Sequence, residues 1–125
     1  MRCKYAFLCE AANITENGLV NVVGGEMQNF VYDKLPAKEL VDVLMHVEYE
    51  FNEKGDHKIK VRVLDSEGKE MSSIIHDVNF PVNRKHLHLA LNLPLNFESF
   101  GTHNVLIAVD SHQVIALPID AVSSR

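Results

Sequence analysis

The segment GTHNVLIAVDSHQVIALPIDAV, residues 101–122, decides the fold, because apolar side chains fill both alternating sets of positions on either side of one polar break. Successive side chains of an extended strand point to opposite faces. Residues 105–109 are therefore apolar on both faces, and residues 114–119 repeat the pattern after the polar residues 110–112. The segment predicts a β-hairpin that is buried on both sides.

This double apolar character also predicts a partner. A strand of a β-sandwich needs only one apolar face, since the other face normally meets water. We therefore expect another protein or a second copy of the chain to cover the hairpin, and two-fold homodimers are the commonest soluble oligomers. The residues expected at this interface are Val105, Leu106, Ile107, Ile115, Leu117 and Ile119.

Length, composition and charge restrict the class of protein. A chain of 125 residues with 46% hydrophobic and 23% charged residues predicts one globular domain over residues 1–125. A formal net charge of -5 opposes nucleic-acid binding. No apolar run is long enough to cross a membrane, and the first run ends at Glu10, which is short for a signal peptide. We expect a cytoplasmic protein with no nucleic-acid or membrane partner, in which Cys3 and Cys9 are free thiols.

Turn residues divide the N-terminal part into strands. Residues 2–12 form the first strand, and Asn17-Gly18 is typical of a two-residue type I′ turn, which needs positive φ at both positions. Gly24-Gly25 predicts a bulge after the returning strand, where the chain changes sheet.

Residues 40–51 match both a helical stripe and strict alternation, but alternation fits more positions and explains the β-branched residues. We expect this strand to form a hairpin with residues 58–64, with acidic and basic side chains paired on the outward face. The residues predicted to face the core are Val41, Val43, Met45, Val47, Ile59, Val61, Val63, Leu87, Leu89 and Leu91.

The C-terminal part continues with strands. After a turn at residues 65–68, the adjacent Ile74 and Ile75 predict a bulge. Residues 85–93 predict a strand with leucine at alternate positions, and residues 94–100 predict an apolar loop over one end of the core. Pro118 limits the last strand to an edge, a bulge or a strand start.

Short strands separated by Gly, Asn and Asp turns, with no convincing helix, define the fold class. They predict an all-β, antiparallel β-sandwich of about 8–9 strands. Immunoglobulin-like and jelly-roll connectivities are both open, because periodicity does not order the strands.

Two motifs resemble a known family. One is Phe100-Gly101-x-His103-x-Val105-x-Ile107-x-Val109-Asp110 followed by Leu117-Pro118-Ile119, and the other is Cys9-Glu10-Ala11-Ala12 with Asn17-Gly18-Leu19. Together they resemble an uncharacterised family of small bacterial single-domain β-sandwich proteins. The resemblance spans most of the chain and implies the fold, with no activity, cofactor or catalytic residue.

His86 and His88 are the candidate metal ligands. They lie two residues apart on the outward face of a strand, a spacing that can place two imidazoles on one zinc ion. A third ligand would have to come from residues far along the chain: His76, His103, Asp110 or His112. The competing interpretation is a pair of histidines on a solvated strand face.

No catalytic constellation is present in the sequence. Asp110-Ser111-His112 contains the residue types of a hydrolase triad, but three successive turn residues cannot adopt the triad geometry. No nucleophile elbow, P-loop or dinucleotide motif occurs, so we expect no enzyme activity and no cofactor. Glycan binding is disfavoured because Trp is absent and Tyr5 and Tyr49 are predicted to point inward.

The sequence therefore predicts a non-catalytic interaction or assembly domain. The alternative is a metal- or small-ligand-binding protein that uses the face of His86 and His88.

Overall fold

Strands make up most of the structure, a computed structural model that describes residues 1–125. A single 3-10 turn at Phe51–Glu53 is the only helical element. The strands are β1 (Arg2–Ile14), β2 (Val20–Met27), β3 (Asn29–Tyr32), β4 (Ala37–Glu48), β5 (Gly55–Leu64), β6 (Glu70–Phe80), β7 (His86–Phe97), β8 (Gly101–Val109) and β9 (His112–Ser123).

The nine strands form two sheets. The first sheet has the order β2-β1-β4-β7, and the second has the order β3-β9-β8-β5-β6. All neighbours are antiparallel except β3 and β9, which are parallel. The chain crosses between sheets after β2, β3, β4, β6 and β7, and this connectivity is immunoglobulin-like. The predicted antiparallel β-sandwich is confirmed, and the connectivity that periodicity left open is resolved.

The core lies between the sheets and comprises 20 buried residues. The predictions from alternation for β4, β5 and β7 are confirmed, because each predicted residue is buried in the core or, as for Leu87 and Leu89, packs against it. Burial of these inner faces supplies the main driving force for folding.

The predicted hairpin between residues 40–51 and 58–64 is wrong. β4 pairs with β1 and β7 in the first sheet, whereas β5 pairs with β6 and β8 in the second. The outward charges of β5 find their partners on β6: Lys58 contacts Asp77 at 2.8 Å, and Arg62 lies 3.9 Å from Glu70. Alternation identifies the inward face of a strand but carries no information on which strand lies beside it.

The predicted loop at residues 94–100 is also wrong, because β7 continues through Pro94 to Phe97. Leu95 and Phe97 are buried in the core. β7 is an edge strand, so a proline without an amide hydrogen can occupy it without losing a ladder hydrogen bond. Pro118 also lies where no neighbouring strand needs its amide, because β3 pairs with β9 only from Asp120 onward.

The bulge predicted at Gly24-Gly25 is confirmed by a register shift in which Leu8 pairs with Met27 but Cys9 pairs with Gly25. The bulge predicted at Ile74-Ile75 lies instead at Met71, where the β5–β6 register shifts.

The turn at Asn17-Gly18 has a different type from the predicted one. Only Gly18 has positive φ, at 80°, and its amide donates to the carbonyl of Thr15 at 2.9 Å. This is a type I turn followed by a left-handed glycine, a common three-residue hairpin loop. The two-residue turn with positive φ at both positions occurs at Asp110 and Ser111, with φ of 49° and 73°.

No helix in the structure has the length and apolar character that a membrane span requires.

The fold predicts a large effect of a charge at the centre of β5. Val61→Asp should destabilise the domain by roughly 3–5 kcal/mol, because Val61 is fully buried and the carboxylate would have no partner. The matched control is Ile75→Asp on the exposed side of β6, expected to change stability by less than about 0.5 kcal/mol. Urea unfolding of both variants measures the difference, and equal stabilities would refute this placement of β5.

The left-handed glycine of the first turn makes a separate prediction. Gly18→Val should cost about 1–2 kcal/mol from backbone strain alone, since a side chain at Gly18 would contact nothing within 4 Å. Gly18→Asn should cost less, because asparagine tolerates positive φ. If thermal unfolding gave the valine and asparagine variants the same stability, the turn assignment would be wrong.

Candidate functional site

His86 and His88 lie on the outer face of β7, as predicted, and a third histidine joins them. In the β4–β7 register His46 pairs with His88, and Glu48 pairs with His86. The rings of His46 and His88 have centroids 4.4 Å apart, and Nε2 of His46 lies 2.9 Å from Nδ1 of His86. The structure thus brings three imidazoles together on one sheet face.

Tyr5 completes this cluster from the neighbouring strand β1. Its hydroxyl lies 3.1 Å from Nε2 of His88, and its ring meets His46 edge to face. Tyr5 was predicted to point inward, and that prediction is wrong because a bulge at Lys4 reverses the alternation of β1. We name Tyr5, His46, His86 and His88 the ring cluster.

Burial and neighbouring charges determine the electrostatics of the ring cluster. The pKa of His46 is lowered, first by burial and then by the nearby His88, His86 and Lys4. Beside the cluster, a 2.5 Å ion pair with Arg2 lowers the pKa of Glu48. The neutral imidazole is therefore the favoured form of His46.

The metal-site hypothesis is not supported by the geometry. No group of three or more His, Cys, Asp or Glu side chains is arranged to hold a metal ion. Instead, His46 and His86 direct ring nitrogens at each other within hydrogen-bond distance. The suggested third ligands His76, His103, Asp110 and His112 all belong to the second sheet or its turns.

The C-terminal hairpin is mostly covered within one chain, contrary to the expectation of a surplus apolar face. Val105, Ile107 and Ile119 are buried in the core, and Ile115 and Leu117 pack against it. The chain's own sheets therefore cover three of these residues fully and Ile115 and Leu117 in part.

Leu106 is the only one of the six predicted interface residues on the outer face of β8. It is half-buried and pairs with Arg62 of β5. The aliphatic stem of an arginine covers an apolar neighbour in such a position while its guanidinium stays in water. The hairpin therefore has no large uncovered apolar face that would require a partner.

The predicted turn residue Asp110 does contact a histidine, but the histidine is His57 of β5, which sequence analysis did not single out. Nδ1 of His57 contacts the Asp110 carboxylate, and Nε2 contacts the backbone oxygen of Glu53. The ring also stacks on Phe80, with centroids 4.1 Å apart. Both ring nitrogens face acceptors, an arrangement that favours the doubly protonated ring and leaves neither nitrogen free to act as a general base.

The pKa of His57 follows from the same contacts. Burial lowers it, but the hydrogen bonds to Asp110 and to the Glu53 carbonyl outweigh burial and raise it above the ordinary value. The Lys58 amide and His57 lower the pKa of Asp110. Both pKa shifts favour the charged forms of the pair, which ties the β8–β9 turn to β5.

Beyond the sandwich, the ends of β1 and β2 form a two-stranded ribbon, residues 11–23, which we name the arm. β1 pairs with β4 only as far as Cys9 and Asp42, and beyond this point it pairs with β2 alone. No arm residue belongs to the core or packs against it, and β2 makes extensive contacts with β1 only. An isolated two-stranded ribbon is marginally stable in water.

The arm is apolar and exposed. Leu19 is 66% exposed and Val23 is 61% exposed. Glu16, in the turn, is the only charged residue between Ala11 and Gly25. Both strands were predicted from the sequence, but their exposure was not, because periodicity does not show the length over which β1 pairs with β4.

The outer side of β2, facing away from β1, is a free strand edge. The Thr15 amide donates to the Leu19 carbonyl at 2.9 Å, which fixes the phase of the β1–β2 ladder. Hydrogen-bonded and non-hydrogen-bonded pairs alternate along an antiparallel ladder. Since Leu19 is in a hydrogen-bonded pair, Val20 and Val22 are in non-hydrogen-bonded pairs, and their amide and carbonyl groups point away from β1.

The three other sheet edges carry features that discourage pairing with another chain. β7 contains Pro94, β3 has only 4 residues, and the exposed residues of β6 include the charged Glu70 and Asp77. Short length, proline and charge are the usual protections of edge strands. Between Val20 and Val23, β2 has none of them.

Fold and surfaces together define an immunoglobulin-like β-sandwich domain with one unprotected, apolar strand edge. Residues 4–122 match a family of unknown function, DUF6941, and the chain belongs to this family. The uncharacterised family implied by the resemblance is thus confirmed, while its bacterial origin stays a prediction.

Solved structures show similarity in fold. Two structures of a glycosyl hydrolase family 2 member from Bacteroides cellulosilyticus, one from strain DSM 14838, each have a TM-score of 0.54 at 13% identity, and each match covers 66% of this chain. This chain spans only 12% of the hydrolase chain. An immunoglobulin-like protein from Pseudomonas aeruginosa has a TM-score of 0.38 at 8% identity, with 94% of this chain and 96% of that chain covered. No curated protein matches the chain in sequence.

The His57 and Asp110 contact predicts a pH dependence. The pKa of His57 is higher in the folded state than in the unfolded state. Protonated His57 therefore stabilises the fold at pH values below the unfolded-state pKa, and this stabilisation is lost as the pH rises through the folded-state pKa. Between about pH 6 and pH 9, wild-type protein should therefore lose more stability than His57→Gln. His112→Gln, an exposed neighbour, is the control and should follow wild type. Parallel curves for wild type and His57→Gln in urea unfolding would contradict the charged pair.

Proposed function

We propose that the protein is a non-catalytic interaction domain whose contact surface is the arm and the free edge of β2. The partner of this surface is an extended polypeptide strand. The proposal rests on the amide and carbonyl groups of Val20 and Val22, which point away from β1. The exposed side chains of Leu19 and Val23 flank these groups.

Strand addition explains how such an edge binds. Backbone hydrogen bonds to the added strand supply affinity, and alternate side chains on either face supply specificity. Covering Leu19 and Val23 would also remove apolar surface from water, which favours association. Both contributions come from residues that make no contact with the core of their own chain.

One observation and one general principle support the non-catalytic part of the proposal. The histidine beside Asp110 has both ring nitrogens engaged, so it lacks the free nitrogen that proton transfer requires. The fold supplies a stable frame but no chemistry by itself. A cytoplasmic location is part of the same proposal.

Small-ligand binding at the ring cluster is less well supported. The Tyr5 hydroxyl is engaged with His88, and His46 is engaged with His86. The polar groups of the cluster therefore satisfy one another, and few remain to orient a ligand.

Photo-crosslinking in cells tests the proposal. A crosslinking amino acid at Val23 should give discrete adducts with a polypeptide, since Val23 borders the free edge. The matched control is Ile75, which is also 61% exposed but lies on the charged edge strand β6. No adduct from Val23, or the same adducts from both positions, would refute the proposed surface.

A further inference from the structure

Resting on the proposed function, we infer that the strand added to β2 is the β2 strand of a second copy of this chain. The two strands run antiparallel about a two-fold axis near Asn21. The result is one continuous sheet in which the arms of the two copies lie side by side.

The backbone of the free edge selects this register. The outward groups belong to Val20 and Val22, which lie on either side of Asn21. With Asn21 on the axis, Val20 meets Val22 of the second copy and Val22 meets its Val20. Each pair then exchanges both backbone hydrogen bonds, as residues of a hydrogen-bonded antiparallel pair do.

The side chains are complementary in the same register. On one face Leu19 lies opposite Val23 of the second copy, which joins the two most exposed apolar residues of the arm. On the other face Val20 and Val22 lie opposite each other. Apolar and β-branched cross-strand pairs stabilise antiparallel sheets.

The charge distribution favours a second copy at this place. With a net charge of -5, two copies repel each other in general. No charged residue occurs between Leu19 and Gly25 along β2, where the flanking carboxylates are at Glu16 and Glu26. The Glu10 side chain of β1 also lies against Gly24. None of these three carboxylates belongs to the paired segment: Glu16 lies before the turn glycine, and Glu10 and Glu26 lie at the glycine bulge. The paired segment itself therefore adds no charge repulsion between two copies.

A second copy fits this edge because the same segment supplies both sides of the complementary surface. A two-fold interface requires a surface that is complementary to itself. The segment from Leu19 to Val23 satisfies this requirement in backbone groups, in side chains and in charge.

Sedimentation of purified protein tests the stoichiometry. Wild-type protein at high micromolar concentration should be a dimer, and Val23→Lys should be a folded monomer because it places two ammonium groups at the joined edge. Ile75→Lys is the control and should remain a dimer. A monomeric wild type, or a Val23→Lys variant that dimerises as wild type does, would overturn the inference.

Disulfide trapping tests the register. The axis places Asn21 opposite its own copy in a non-hydrogen-bonded pair, where Cα atoms are about 4.5 Å apart and within disulfide reach. In a Cys3→Ser background, with Cys9 buried, Asn21→Cys should form a covalent dimer on mild oxidation. Ile75→Cys provides the collisional background. Equal yields from the two variants would refute the pairing at Asn21.

The experiments separate this inference from the proposed function. If the protein is monomeric but Val23 crosslinks to a different polypeptide in cells, the second copy is wrong and the interaction surface stands. If Val23 gives no adduct and the protein is monomeric, both are wrong.

Discussion

The unequal pairing of β4 with its two neighbours determines most of what distinguishes this domain. β4 pairs with β7 along its whole length, but it pairs with β1 only as far as Asp42. There the Asp42 carboxylate accepts a hydrogen bond from the Ala12 amide at 2.8 Å, in place of a further backbone bond from β4. Beyond this point β1 leaves the sandwich with β2, and the arm is formed.

Both faces of the first sheet follow from the same pairing. The inner side chains of β4 enter the core, and the outer ones place His46 beside His88 and Tyr5. The ring cluster is a consequence of register between distant segments, and its groups satisfy one another. The arm, in contrast, exposes backbone and side-chain groups that no part of its own chain satisfies.

Much of this architecture could be predicted from the sequence, because alternation reports which side of a strand is buried. It identified the inward residues of β4, β5 and β7 and the β-sandwich class. It did not predict neighbours: β4 and β5 were expected to pair, but they lie in different sheets. His46 joined the two predicted histidines through cross-strand register, which a single sequence does not encode locally.

Local departures from regular geometry account for the other differences. A bulge at Lys4 turned Tyr5 outward, and Pro94 is accommodated because β7 is an edge strand. The C-terminal hairpin suggested a surplus apolar face, but most of it is covered by the chain's own sheets. The surface without cover lies at the opposite end of the chain, where the sequence shows only an ordinary hairpin.

The most direct test is amide hydrogen exchange at Val20 and Val22 as a function of protein concentration. These amides point to the free edge, so they should exchange rapidly in dilute protein and become protected as concentration rises and the second copy binds. Amides at the edge of β6 should show no such change. Exchange at Val20 and Val22 that is independent of concentration would contradict the account.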